Sequence, residues 1–131
     1  MNELKFRCWD TESKTMGEVS SMCFSEGKIY CVMCNGTECC GIEHGDDGFI
    51  MQFTGLHDKI GKDIYDGDIV KYLGLEVSNG KQIYPERRMV VTWDYYELSR
   101  LMNIIGNSKA RQAEVIGNIH ENPELLEREE D

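Results

Sequence analysis

Cys31-x2-Cys34-x4-Cys39-x4-His44 places three thiols and an imidazole within fourteen residues, with Asn35-Gly36 supplying a turn between the halves. Zn(II) takes four such soft or borderline ligands in a tetrahedron, and a Cys-x2-Cys loop lets two of them converge. Cys40 could serve in place of Cys39. The order of ligands differs from the common zinc fingers, and Gly41, Gly45 and Gly48 hold the histidine only weakly. The competing reading is ordinary thiols in a variable loop. Cys31-Val-Met-Cys34 also has dithiol spacing, but that chemistry needs its first thiol at a helix N-terminus, and Ile29-Tyr30 before it favours a strand. Zinc is thus the one cofactor this segment suggests, and no other is expected.

A second group lies between residues 57 and 68. His57, Asp66 and Asp68 are the residues a small metal-dependent hydrolase or phosphate-processing enzyme would use, with Mg(II) held by the carboxylates. Asp58 and Asp63 add acids, yet the spacing and terminal glutamate of a calcium loop are missing. Aspartates in such glycine-punctuated segments more often accept backbone hydrogen bonds and hold turns. His57 then reads as a loop residue, and Asp58, Lys59 and Lys62 as facing water. Trp9, Tyr72 and Trp93 could stack on bases, or serve as core and interface anchors.

The chain around these groups has 131 residues, 24 acidic against 14 basic, for a net charge of -10. Nucleic-acid affinity rests largely on clustered Lys and Arg, so direct DNA or RNA binding is disfavoured, and so is adhesion to anionic lipid. Apolar runs fall well short of the roughly 18 residues a membrane helix needs. No basic stretch followed by an apolar one opens the sequence, so a cytoplasmic location is expected, with the six cysteines as thiols or metal ligands instead of disulfides. The length suits one domain, or two small lobes sharing a core.

The elements that must position these residues are mainly strands. Leu4, Phe6 and Cys8 alternate with Lys5, Arg7 and Trp9; the run 10–14 reads as a hairpin connection; Met16 to Met22 returns, weakened by Gly17; and Lys28 to Met33 follows. Phe49, Met51 and Phe53 form another strand, ended by Thr54-Gly55, with Leu56 and Ile60 on a turn and Asp66-Gly67 admitting a strand from Ile69. That strand, 69–77, meets its partner across Asn79-Gly80, a strong hairpin signal, and pairing resumes after Pro85 with Met89 to Trp93. Leu98, Leu101, Met102 and Ile105 recur at helical spacing up to Gly106, against a rival hairpin reading, and 107–111 connects onward. Val115, Ile116 and Ile119 around Gly117-Asn118 read as a closing strand with a bulge, and Asn122-Pro123 as a helix start with Leu125 and Leu126 as anchors. Glu129, Glu130 and Asp131 sit at the unfavourable end of that helix.

Leu4 to Asp10, Met51 to Lys59, Gly61-Lys-Asp-Ile-Tyr-Asp-Gly-Asp-Ile-Val70 and Val115 to Leu126 together resemble the YopX family, small proteins encoded largely by bacteriophages and prophages. The resemblance implies a mainly β, β-rich α+β fold: a small antiparallel sheet lobe, 1–48, an SH3-like, partly open barrel lobe, 49–131, and a short C-terminal helix. It brings no catalytic motif, and segment 31–40 looks like an embellishment of this chain. The expected function is that of a non-enzymatic accessory protein or adaptor that engages a host or phage protein in the bacterial cytoplasm, with homo-oligomerisation through an exposed strand edge open to it. The alternatives are the hydrolase above, an acidic DNA mimic that inhibits a nucleic-acid enzyme, and a nucleic-acid-binding small barrel.

Overall fold

The computed structural model describes residues 4–106 and 113–126. The connection 107–111 and the acids Glu129, Glu130 and Asp131 lie outside the described residues. The chain divides into two compact units, Met1–Phe53 and Thr54–Asp131.

In the first unit, β1 (Phe6–Asp10), β2 (Thr15–Ser25), β3 (Lys28–Asn35), β4 (Glu38–Glu43) and the start of β5 (Gly48–His57) lie in the order β4-β3-β2-β1-β5. Every neighbouring pair is antiparallel. The 10–14 connection forms because Asp10 folds it: Oδ1 accepts from the Glu12 amide at 3.0 Å and Oδ2 from the Ser13 hydroxyl at 2.8 Å. Strand β4 went unforeseen. Glu-Cys-Cys-Gly-Ile-Glu has little strand propensity of its own, and pairing with β3 across the Gly36 turn makes it a strand. Gly17 interrupts nothing: a Cβ there would come within 2.7 Å of the Cys34 carbonyl oxygen, so the glycine permits a close backbone approach. Cys8, Cys31, Met33 and Ile42 form the buried core, with Val19, Met22 and Ile50 packed on it.

The second unit holds the rest of β5, β6 (Asp63–Tyr65), β7 (Asp68–Leu73), β8 (Glu76–Ser78), β9 (Lys81–Ile83), β10 (Glu86–Val90), α1 (Tyr95–Gly106) and β11 (Glu114–Asn118). Strand β5 continues past Thr54, with Gly55 in the left-handed region at φ 87°, so Leu56 lies on the strand. Strand β7 is the centre of a β10-β7-β11 sheet, and the expected bulge is present as a register shift between Val115 and Gly117. The long strand expected over 69–77 is two: β7 stops at Leu73, and β8 pairs with β9 across Asn79 and Gly80 at φ 52° and 77°.

The helical reading of 98–105 holds, and Asp94 caps the helix through its Oδ1 to the Tyr96 amide at 2.7 Å. Leu101 and Ile104 carry the buried stripe against Ile64, Val70, Tyr72, Met89 and Val91, whereas Met102 faces out. Burial of each such side chain contributes about 1.5–3 kcal/mol. After β11, Pro123–Leu126 forms one 3-10 turn. Asn122 does not cap it: its Oδ1 accepts from the Asn118 amide at 3.2 Å and closes the preceding turn.

Candidate functional site

Cys31, Cys34, Cys39 and His44 do not assemble into a tetrahedron. Cys34 and Cys39 are direct partners across β3 and β4 with Cα atoms 4.0 Å apart, and they form a disulfide, which corrects the expectation of free thiols and removes two of the four ligands. Cys31 is three residues from Cys34 on an extended strand, so it faces the other way, into the core. His44 Nδ1 accepts from the Ile50 amide at 2.9 Å. Cys40, the alternative ligand, is exposed beside Asp10 Oδ2 at 3.8 Å. Burial raises the pKa of its thiol, reinforced by Asp10, and burial with the neighbouring Cys31 pushes Cys8 up to about 12. A raised thiol is a poorer nucleophile, and buried Cys8 is a packing group in the folded state. Among the described residues the donor atoms that do gather belong to Glu43, Asp46 and Asp47, whose carboxylate oxygens lie within 4.8 Å of one another.

The central aspartates hold turns. Asp58 is buried, against the expectation that it faces water: Oδ1 accepts from the amides of Ile60 at 3.0 Å and Lys62 at 2.9 Å, and Oδ2 from Val115 at 3.0 Å. Asp68 is also buried and takes the Tyr65 amide at 2.7 Å. His57 Nε2 lies 3.1 Å from Asp63 Oδ1. His57, Asp66 and Asp68 are not among the groups of donor atoms that meet within metal-binding reach. A metal-held phosphate would need such a meeting point.

Open surface with the shape of a binding site is found in both units. In the first unit, residues of β2, β3 and β4, among them Cys23, Tyr30, Val32, Gly41 and Glu43, line a cavity of 370 Å³ together with Asp47. Its only signals in the sequence were isolated apolar and acidic residues on three different strands and a loop. In the second unit, Trp93, Tyr95 and Tyr96 stand 50%, 78% and 77% exposed at the start of α1, the two tyrosine rings edge to face at 5.5 Å. Of the three aromatics considered from the sequence, Trp9 and Tyr72 are buried, the latter taking a 2.8 Å hydrogen bond from Arg100, and Trp93 alone is open. The same Tyr72 contact raises the pKa of the Arg100 guanidinium further.

The fold and these sites define a mixed α+β protein, mostly antiparallel sheet with one helix among the described residues, whose buried carboxylates are spent on turns. The chain belongs to the YopX protein family, which it matches over residues 5–127. The crystal structure of protein EF1440 from Enterococcus faecalis is similar over 97% of this chain and 100% of that one, at 28% identity and a TM-score of 0.55. The crystal structure of protein yopX from Bacillus subtilis is similar over the same shares, at 21% identity and a TM-score of 0.49. No curated protein matches the sequence. Among the described residues no helix is long and apolar enough to cross a membrane.

Proposed function

We propose that the protein is a non-enzymatic adaptor, acting in the bacterial cytoplasm, that binds a host or phage protein through the aromatic surface of its second unit. The observation that carries this reading is the exposure of Trp93, Tyr95 and Tyr96 together. Aromatic side chains dominate the energetics of protein interfaces because they offer large, rigid area at low entropic cost, and the loss of one central anchor commonly costs roughly 2 kcal/mol or more of binding. Asp94 fixes the local backbone by capping α1, so Tyr95 and Tyr96 are held on the first turn of the helix, with Trp93 just before the cap. The net charge of -10 directs such a surface toward a protein partner and away from a phosphate backbone.

The test is site-directed cross-linking from position 96 in the native host, compared with a Trp93→Ser/Tyr95→Ser/Tyr96→Ser variant of unchanged circular dichroism. One protein cross-linked in stoichiometric yield, and lost from pull-downs with the triple variant, is the expected result. Sedimentation of the purified protein separates self-association through the same rings from binding of another chain. Recovery of the same partners with and without the three aromatics would overturn the assignment of this surface.

A further inference from the structure

Two thiols meet inside the first unit. Cys8 on β1 and Cys31 on β3 are both core residues, 0% and 4% exposed, and their thiols hydrogen-bond to each other. Met33 brings a thioether to the same cluster. It shares the core face of β3 with Cys31, two residues away, and its side chain lies across Gly17, the residue directly opposite Cys8 on β2. A Cβ at Gly17 would come within 2.9 Å of Met33 Cγ and 3.0 Å of its Cε, the two carbons that flank the sulfur. The bare glycine is what lets the thioether reach over β2 on the side of Cys8. Among the described residues no third cysteine, histidine or carboxylate comes within metal-binding reach of the two thiols.

We propose that Cys8 and Cys31 bind one Cu(I) ion as a two-thiolate site, with the Met33 thioether as an auxiliary ligand. Thiolate and thioether donors select soft Cu(I), which is satisfied by two or three of them, whereas Zn(II) asks for four ligands and hard divalent ions for oxygens. Binding forms two Cu–S bonds and releases both thiol protons: Cu(I) and two S–H groups give a bis-thiolate complex of charge -1 and two H⁺, with no change of oxidation state. Burial keeps the two thiols protonated until the ion arrives, so affinity is tied to pH. Cys40, exposed and directly opposite Met33 on the same face of the sheet, marks the side from which the ion enters. The site lies within the first unit and is independent of the aromatic surface.

The probe is Cu(I) as its acetonitrile complex, added without oxygen or reductant so that the Cys34–Cys39 disulfide stays closed. The protein is the full chain with Cys23→Ala/Cys40→Ala, which removes the two exposed thiols, and affinity is read by competition with bicinchoninate. The expected result is one Cu(I) per chain, an affinity that rises about 100-fold per pH unit as two protons leave, a copper absorption edge with only sulfur in the coordination shell, and a shifted Met33 ε-methyl resonance. Cys8→Ala or Cys31→Ala should weaken binding by more than the roughly 10–100-fold that loss of an outer partner costs a metal site, and Met33→Leu, which keeps the packing, by roughly tenfold. Equimolar Zn(II) should not displace the ion. The absorption edge and the methyl shift need no change in the core, so they decide the matter even where a core cysteine variant fails to fold. Nitrogen or oxygen in the shell, a Met33 methyl that does not move, affinity unchanged by Cys8→Ala and Cys31→Ala, or displacement by equimolar Zn(II) would each overturn the proposal.

Discussion

Replacing Asp58 should unfold the second unit more readily than any other single polar substitution in it. Its carboxylate accepts three amide hydrogen bonds, from Ile60, Lys62 and Val115, and so ties the 58–62 turn to β11. The neighbouring Lys59 amide donates to the Ala113 carbonyl at 2.9 Å, a tie that depends on the same turn. Hydrogen bonds to a charged group are worth about 1.5–3 kcal/mol each, but water can replace the carboxylate at the exposed Ile60 end of the turn. Asp58→Ala should therefore cost about 3–5 kcal/mol, a large share of the roughly 5–15 kcal/mol that holds a domain together. Asp58→Asn keeps one oxygen for two amides and turns an NH2 group toward Val115, so it should cost about 2 kcal/mol.

The chain has two tryptophans, one in each unit, and a Trp9→Phe background leaves Trp93 as the reporter of the second. Equilibrium denaturation followed by its fluorescence gives the loss, and amide exchange at Ile60, Lys62 and Val115 locates it. A loss below about 1 kcal/mol for Asp58→Ala, with exchange at those amides unchanged, would refute the bridging role.

The thiol count offers a second check: four cysteines titrate in the unreduced, denatured protein and six after reduction. Cys34→Ser/Cys39→Ser should lower the stability of the first unit by about 2–3 kcal/mol, the loop-closure value for a short cross-link, read from its denaturation midpoint. Alkylation of the folded protein near pH 8 should modify Cys23 and Cys40 and spare buried Cys8 and Cys31, as peptide mapping would show. Because the folded pKa of Cys8 is raised from 9.0 to about 12, its contribution to stability is complete below pH 9 and is lost as the pH rises from 9 to about 12. The slope approaches about 1.4 kcal/mol per pH unit in that window, and Cys8→Ala should remove it in pH-dependent denaturation. Gly48→Ala should prevent the first unit from folding normally, because the added Cβ would overlap the Trp9 carbonyl oxygen, a backbone atom that cannot swing aside; an unchanged thermal midpoint would contradict this.

Local signals were legible wherever the backbone itself had to do something unusual. Asn79-Gly80 announced its hairpin because two consecutive positive φ angles need those residues. Gly117 marked the bulge in β11, where a Cβ would run into the Asn122 side chain. The helical stripe through Leu98, Leu101 and Ile105 survived as α1, although Ile104 took the buried place expected of Met102. Strand β4 was invisible because Glu38, Gly41 and Glu43 do not favour extended structure and the segment shows no apolar alternation, and only its partner β3 satisfies that backbone.

The site residues were harder to read. Spacing shows how far apart residues lie along the chain, and it is silent on which side of a sheet each faces. Cys31 and Cys34 looked like neighbours in a ligand loop, yet on a strand an odd separation sends one to the core and the other to solvent. Most strands and turns were thus legible in the sequence alone, through backbone preference and apolar alternation, and the family and its mostly antiparallel α+β class through the motif blocks that resemble it. The Cys34–Cys39 pair, the burial of Asp58, the exposure of Trp93 and the open cavity were decided by tertiary structure. Each depends on which distant strand lies alongside, and that pairing exists only once the chain has closed on itself.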